Sequence, residues 1–308
     1  MHLLMDAINE IFIKMPNFAL LLIGLILTKY FFDMTTKFKF DTELTENDNP
    51  AFGVALAGYL FGSGIALSGA VFGAGYSLTD DAIHIAIMSI LIIVLMRVSV
   101  MINDWAILYN FSISKELIED KNVGTGFVLA GGSIATGFML NGALSGQSET
   151  LASSVVDIII FWSIGQVILI LGGLLFQAIT RYDIHKVIGE DNNLAAGLSF
   201  GGFLTAQGIV IRNALYGASS NIWDEVIITA AFAFIGLLLL IATRIIVDRV
   251  FLPKSPLSKE IAVDRNAAAG AMAAASFIIV AIIFAASVSP NSSAQMDRNN
   301  SVEQMEHE

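Results

Sequence analysis

Ionisable and amide side chains inside apolar stretches are the residues of this chain best placed to do chemistry. Asp157 stands within Val155-Val156-Asp157-Ile158-Ile159, and Arg212 lies towards the end of the next apolar stretch. A charge in hydrocarbon is costly, so it marks an ion or proton path or is neutralised by a partner. If the two stretches are adjacent antiparallel helices, Asp157 and Arg212 fall at similar depth. A structural ion pair is then preferred over a permeation or proton-relay role. Gln166 and Gln207 are intramembrane amides suited to bonding between helices, and Arg97, near the end of its stretch, can snorkel. Asp80-Asp81 and Asp224-Glu225 open two further stretches, where acidic residues favour the positive end of a helix.

Reactive chemistry finds little support. His84 and His185 share no metal-ligand spacing with each other or with carboxylates. The chain has no cysteine, which excludes thiolate metal sites and cysteine nucleophiles. No Ser-His-Asp arrangement, phosphate loop or paired catalytic carboxylates stands in a recognisable context. The reading is therefore not an enzyme, with no cofactor, no metal and no nucleic-acid partner.

The elements that hold these residues are membrane spans. Of 308 residues 56% are hydrophobic and only 14% charged, and the net charge is −11, with a mean hydropathy of +0.74. A soluble domain carries about 25% charged residues. Apolar runs near 16–32, 50–73, 82–102, 123–145, 153–179, 193–215, 223–243 and 266–288 are each long enough to cross a bilayer core. The first ends at Lys29-Tyr30-Phe31-Phe32 without a small-residue cleavage site, so it reads as a retained helix. Lysine and arginine crowd alternate connections, among them Lys37, Lys115, Arg181, Lys186, Arg249 and Lys259, and avoid the stretches near 74–81, 146–152 and 216–222. Positive connections stay inside, which puts both termini outside, in the periplasm.

The spans repeat. Asn49-Pro50-Ala51-Phe52-Gly53, Asn122-Val123-Gly124-Thr125-Gly126, Asn193-Leu194-Ala195-Ala196-Gly197 and Asn266-Ala267-Ala268-Ala269-Gly270 recur about 72 residues apart, a period that defines repeat architecture. The expected fold is an all-α integral membrane protein with eight transmembrane helices as four parallel two-helix repeats. These cover 1–73, 82–145, 153–215 and 223–288, followed by a disordered acidic tail over 289–308. Each asparagine reads as an N-cap in preference to a member of an ion-binding ring, with Pro50 suited to the first helical position. On that reading Asn193→Ala costs about 1 kcal/mol. Asp120, Asp191 and Asp264, two residues upstream, are expected to favour the positive helix end.

Apolar residues nine and five before each asparagine (Phe40 and Leu44, Ile113 and Leu117, Ile184 and Ile188, Leu257 and Ile261), with Thr42, Lys115, Lys186 and Lys259 between them, predict short amphipathic helices on the membrane surface or against the bundle. Phe38, Phe111 and Tyr182 precede three of these helices as interfacial anchors. Small residues at +4, +8 and +15 from each asparagine form one stripe: Gly53, Ala57, Gly64; Gly126, Ala130, Gly137; Gly197, Gly201, Gly208; Gly270, Ala274, Ala281. Such stripes let backbones approach closely. Either the four even helices pack together as an inner layer, or each packs on its own odd partner.

The basic connection with a Lys-Glu-apolar core (Lys115-Glu116-Leu117, Lys259-Glu260-Ile261), then Asn, then an Ala/Gly helix, resembles the bacterial domain-of-unknown-function 350 family, YjfL-type inner-membrane proteins built from such two-helix units. The third copy, from Tyr182 through Gly197, matches best; the first lacks the lysine and the fourth the aromatic residue. The resemblance implies an integral inner-membrane protein without known catalytic residues, in a family often linked with phage-shock-type envelope stress. The functional expectation is a structural or regulatory platform for envelope maintenance, in contact with lipid and a peripheral cytoplasmic protein, with self-association left open. The alternative is a small-ion or solute channel or transporter.

Overall fold

Asparagine 49 illustrates how each unit begins. Its Oδ1 accepts the backbone N–H of Phe52 at 3.1 Å, satisfying a donor that the first helical turn leaves orphaned, and Pro50 follows at the first helical position. The computed structural model describes residues 2–72, 77–109, 112–146, 150–215 and 222–288. Phe111 and the acidic tail over 289–308 lie outside the described residues, as do most of the connections opposite the asparagines.

Among the described residues, eight helices are long and apolar enough to cross a membrane. They are α1 (His2–Thr35), α2 (Pro50–Gly69), α3 (Leu78–Ala106), α4 (Val123–Ala143), α5 (Leu151–Ile179), α6 (Leu194–Leu215), α7 (Ile222–Ile246) and α9 (Ala267–Ser287); the short α8 (Leu257–Ala262) lies in the fourth connection. α1 is longer than the apolar run that announced it, because the apolar and polar residues interspersed before Pro16 continue the helix.

α2, α4, α6 and α9 stand side by side in one row, and α1, α3, α5 and α7 form a second. α3 packs on α2 and α4, α5 on α4 and α6, α7 on α6 and α9. The small-residue stripes make the first row, as the first of the two sequence alternatives holds. Their contacts recur at three levels. At the asparagine end a Cβ at Gly126 would press on Ala51, one at Gly197 on Gly124 and one at Gly270 on Ala195. In mid-helix Gly58 meets Ala130, Gly131 meets Gly201 and Gly202 meets Ala274; further on, Gly137 meets Gly62 and Gly208 meets Ala135. In each case the neighbour is helix backbone or an alanine, so the axes approach as closely as α-helices can. The first stripe differs. Gly53 meets only the Leu44 side chain, and Gly64 has nothing within 4 Å.

Buried polar groups tie the two rows together in mid-membrane. Trp162 Nε1 and Gln166 Nε2 both donate to Ser99 Oγ, at 2.8 and 2.7 Å, joining α5 to α3. Gln207 Nε2 donates to the Ile168 carbonyl at 2.7 Å, across a gap that exists because residue 172 is glycine. Both glutamines thus bond between helices.

Candidate functional site

The connections end in an unusual piece of backbone. Five-residue π-helical turns, Thr42–Glu46, Lys115–Glu119 and Lys186–Glu190, precede the first three asparagines, and α8 precedes the fourth. The residue just before each asparagine is non-glycine yet left-handed: Asp48, Lys121, Asn192 and Arg265 have φ of 45°, 47°, 51° and 49°. This reversal lets each asparagine N–H donate back six residues, to the carbonyls of Glu43, Glu116, Val187 and Glu260, much as in a Schellman stop. One short helix is thereby closed and the next long one opened within two residues.

The asparagine side chain then does three things at once. Oδ1 caps its own helix, accepting from Phe52, Thr125, Ala196 or Ala269. Nδ2 donates to a carboxylate of its own connection, Asn49 to Glu43 at 2.9 Å, Asn122 to Glu116 at 2.8 Å and Asn266 to Glu260 at 2.9 Å. Nδ2 also donates to a carbonyl of the following unit: Asn49 to Leu117 at 2.8 Å, Asn122 to Ile188 at 2.7 Å, Asn193 to Ile261 at 2.8 Å. The acceptor is always five residues before the next asparagine. Asn193 lacks the carboxylate, because Val187 occupies that place. The residue is therefore a clamp between units as well as a cap.

The short helices lie against the bundle. Leu117, Ile188 and Ile261 are buried, at 5%, 0% and 0% exposure, while Lys115 and Lys259 point outward to Asp120 and Asp264. Asp120 and Asp264 also pair with these lysines of their own connections, and Asp191 pairs with Arg265 of the next unit at 3.5 Å. Burial pushes the Tyr182 phenol up to about 12, partly opposed by the Arg244 guanidinium. The hydrogen bond from Asn266 holds Glu260 below the usual carboxylate range.

Beside the first clamp, α1 to α4 enclose a cavity of about 200 Å³. Phe32, Phe38 and Phe52 form its apolar wall; Tyr59, Arg97, Asp104 and Ser133 bring polar groups to it. Tyr59 Oη and Asp104 Oδ1 are buried without a hydrogen-bond partner, a costly state unless something fills the space. Arg97, expected to snorkel, has its Nε and Nη2 fixed on Thr35 at the end of α1, with the guanidinium 5.6 Å from the Phe32 ring. Such a pocket suits a small amphipathic molecule bearing a hydrogen-bond donor.

Of the residues singled out for chemistry, Arg212 enters a polar chain at the opposite end of the row. Its Nε donates to Asn141 Oδ1 at 2.7 Å, and Asn141 Nδ2 donates to Ser68 Oγ at 3.1 Å and the Ile65 carbonyl at 3.0 Å. Ser68, Asn141 and Arg212 occupy the same position of three successive units. Asp157 lies half-buried on α5, which packs on α6. His84 Nε2 bonds the Phe72 carbonyl and His185 Nε2 the Ile107 carbonyl. Among the described residues no three His, Cys, Asp or Glu side chains converge to hold a metal.

In comparison with known proteins, one family model, Domain of Unknown Function (DUF350), matches in tandem over residues 13–144 and 150–288. The chain belongs to this family. Each match takes in two of the asparagine units, so the α4–α6 junction joins two family modules. A UPF0719 transmembrane protein of Aquifex aeolicus (strain VF5) is 24% identical over 273 residues, covering 87% of this chain and 98% of its own length. No solved structure matches. That relative's name describes a transmembrane protein, in keeping with the eight apolar helices here.

Proposed function

We propose that this chain is a rigid structural or regulatory platform in the bacterial inner membrane, offering its asparagine end to a peripheral partner in the cytoplasm. The observation that carries this reading is the clamp, which binds four basic connections into one continuous end face. A surface so held loses little conformational entropy when a partner docks. The bias of lysine and arginine to that face supports a cytoplasmic orientation, with both termini periplasmic. Two further features favour a platform over a channel: the inner row is joined backbone to backbone, and the mid-membrane amides bond to neighbouring helices. A role in envelope maintenance fits a face of this kind, and the aromatic pocket beside the first clamp gives the platform a place to sense a small molecule.

Two measurements on the same protein test the proposal. A photo-crosslinking amino acid at Lys186, introduced in living cells, should trap a discrete protein adduct, whereas one at the exposed Leu171 of α5 should not. Proteoliposomes should show no proton or monovalent-cation flux above empty liposomes. Flux that Asp157→Asn abolishes would sink the platform reading and favour a channel or transporter.

A further inference from the structure

The row of even helices stops at both ends with its contacts half made. At its first end α2 turns outward the face that every later even helix uses to meet its predecessor, with Gly53, Ala57 and Gly64 along it. Ala57 is exposed and Gly64 opens on empty space. At the last end α9 turns outward the face by which every earlier even helix meets its successor, with Ala268, Ala275 and Ile279 at the three contact levels, all exposed.

The clamp is unfinished at the same two places, and this is independent of the stripes. Asn266 caps α9 and bonds Glu260, and among the described residues its Nδ2 reaches no carbonyl of a further unit. The Leu44 carbonyl holds the position at which Leu117, Ile188 and Ile261 each accept from the asparagine of the preceding unit, but it belongs to the first described unit. The Leu44 side chain is 40% exposed, while its three counterparts are buried. Donor and acceptor, knob and groove are thus complementary between one end of the molecule and the other.

We propose that a second copy of this chain continues the row, with α9 of one copy against α2 of the next. In that arrangement Asn266 donates to the Leu44 carbonyl, Ala275 meets Ala57, and Ile279 fills the space over Gly64. The interface keeps the register of the junctions between units, but with Ala275 where those have Gly58, Gly131 and Gly202, and Ile279 where they have Gly62 and Ala135. Its two helices therefore splay apart away from the asparagine end. It is heterologous, so copies close into a ring if the rotation permits and otherwise extend as a filament. The proposal does not depend on the platform reading.

The absence of cysteine makes the test clean. Ala57→Cys and Ala275→Cys variants are co-expressed and oxidised in native membranes. A covalent dimer should form in the mixture and in neither variant alone. Self-linking of either single variant would show a two-fold contact instead, and no dimer in the mixture would overturn the proposal. Independently, the wild-type chain weighed by native mass spectrometry in lipid nanodiscs should appear as multiples of its 33.0 kDa mass. Monomer alone, covered by lipid, would also overturn it. Gly64→Leu adds its side chain to open space in the single copy, so its thermal midpoint should hold while association weakens at least about tenfold.

Discussion

Asn122 and Ile188 are joined across two units by a 2.7 Å hydrogen bond from the asparagine Nδ2 to the isoleucine carbonyl, while Asn122 Oδ1 caps α4. One side chain thereby stabilises a helix start and the contact between neighbouring units. The clamp also explains why the residue is asparagine and not aspartate or serine, which cap as well but donate no such amide bond.

The asparagines should consequently cost more to remove than a cap alone. Asn122→Ala loses a cap worth about 1 kcal/mol and leaves Glu116 and the Ile188 carbonyl without their donor, for a total of about 3 kcal/mol. Asn193→Ala, with no carboxylate partner, should cost about 2 kcal/mol, above the cap value alone. The ordering is checked by unfolding each variant in a mixed detergent titration. Equal losses near 1 kcal/mol would mean that the links between units contribute nothing.

Glycine substitutions should divide by their position in the row. A Cβ at Gly131 collides with the Gly201 backbone, which has no flexible end to yield, so Gly131→Ala should cost several kcal/mol, about 3 or more. Gly64→Ala meets open space and should be neutral or stabilising by about 0.5–1 kcal/mol through helix propensity. Thermal midpoints of the two variants in one detergent decide it, and similar values would contradict the row.

The fourfold unit, the eight spans and the caps were legible because each rests on local chemistry: an asparagine before an Ala/Gly helix, a long apolar run, a basic connection. The clamp was not, since its acceptors are backbone carbonyls such as that of Leu117, which no residue type announces. The column Ser68, Asn141, Arg212 was visible as one repeat position, yet its hydrogen bonds needed the knowledge that α2, α4 and α6 are neighbours. Tyr59 and Asp104 escaped notice for a related reason. They come from different units, and Asp104 stands near the end of a span, where an acid is unremarkable in sequence.

Tyr59→Phe probes the cavity. The hydroxyl has no protein partner, so its removal should leave the thermal midpoint unchanged or raise it, whereas Tyr59→Ala loses the packing on Phe32, 5.0 Å away between ring centroids. A loss above about 1 kcal/mol for the phenylalanine variant would mean that the hydroxyl binds something in the cavity, a water or a ligand.

The pairing of Asp157 with Arg212 remains a proposal that a double-mutant cycle can decide. Asp157→Asn or Arg212→Gln alone leaves the other charge without its proposed partner, so removing both should be milder than the sum of the two. A coupling of at least about 0.5 kcal/mol is expected, and strict additivity would argue against contact.

Acid should loosen the Asn266–Glu260 bond of the fourth unit. The hydrogen bond from Asn266 lowers the carboxyl below its usual value. A depressed carboxylate contributes stability that is full above its unfolded pKa and is lost as pH falls through its folded one. The window therefore opens near the ordinary glutamate range, about pH 4.3, and extends downward. Glu260→Gln keeps an acceptor for Asn266 without the titrating group. The difference in thermal midpoint between wild type and Glu260→Gln should be constant from neutral pH to the top of that window and shrink below it. A difference that stays flat through the acid range would show that the Asn266–Glu260 bond does not favour the ionised carboxylate.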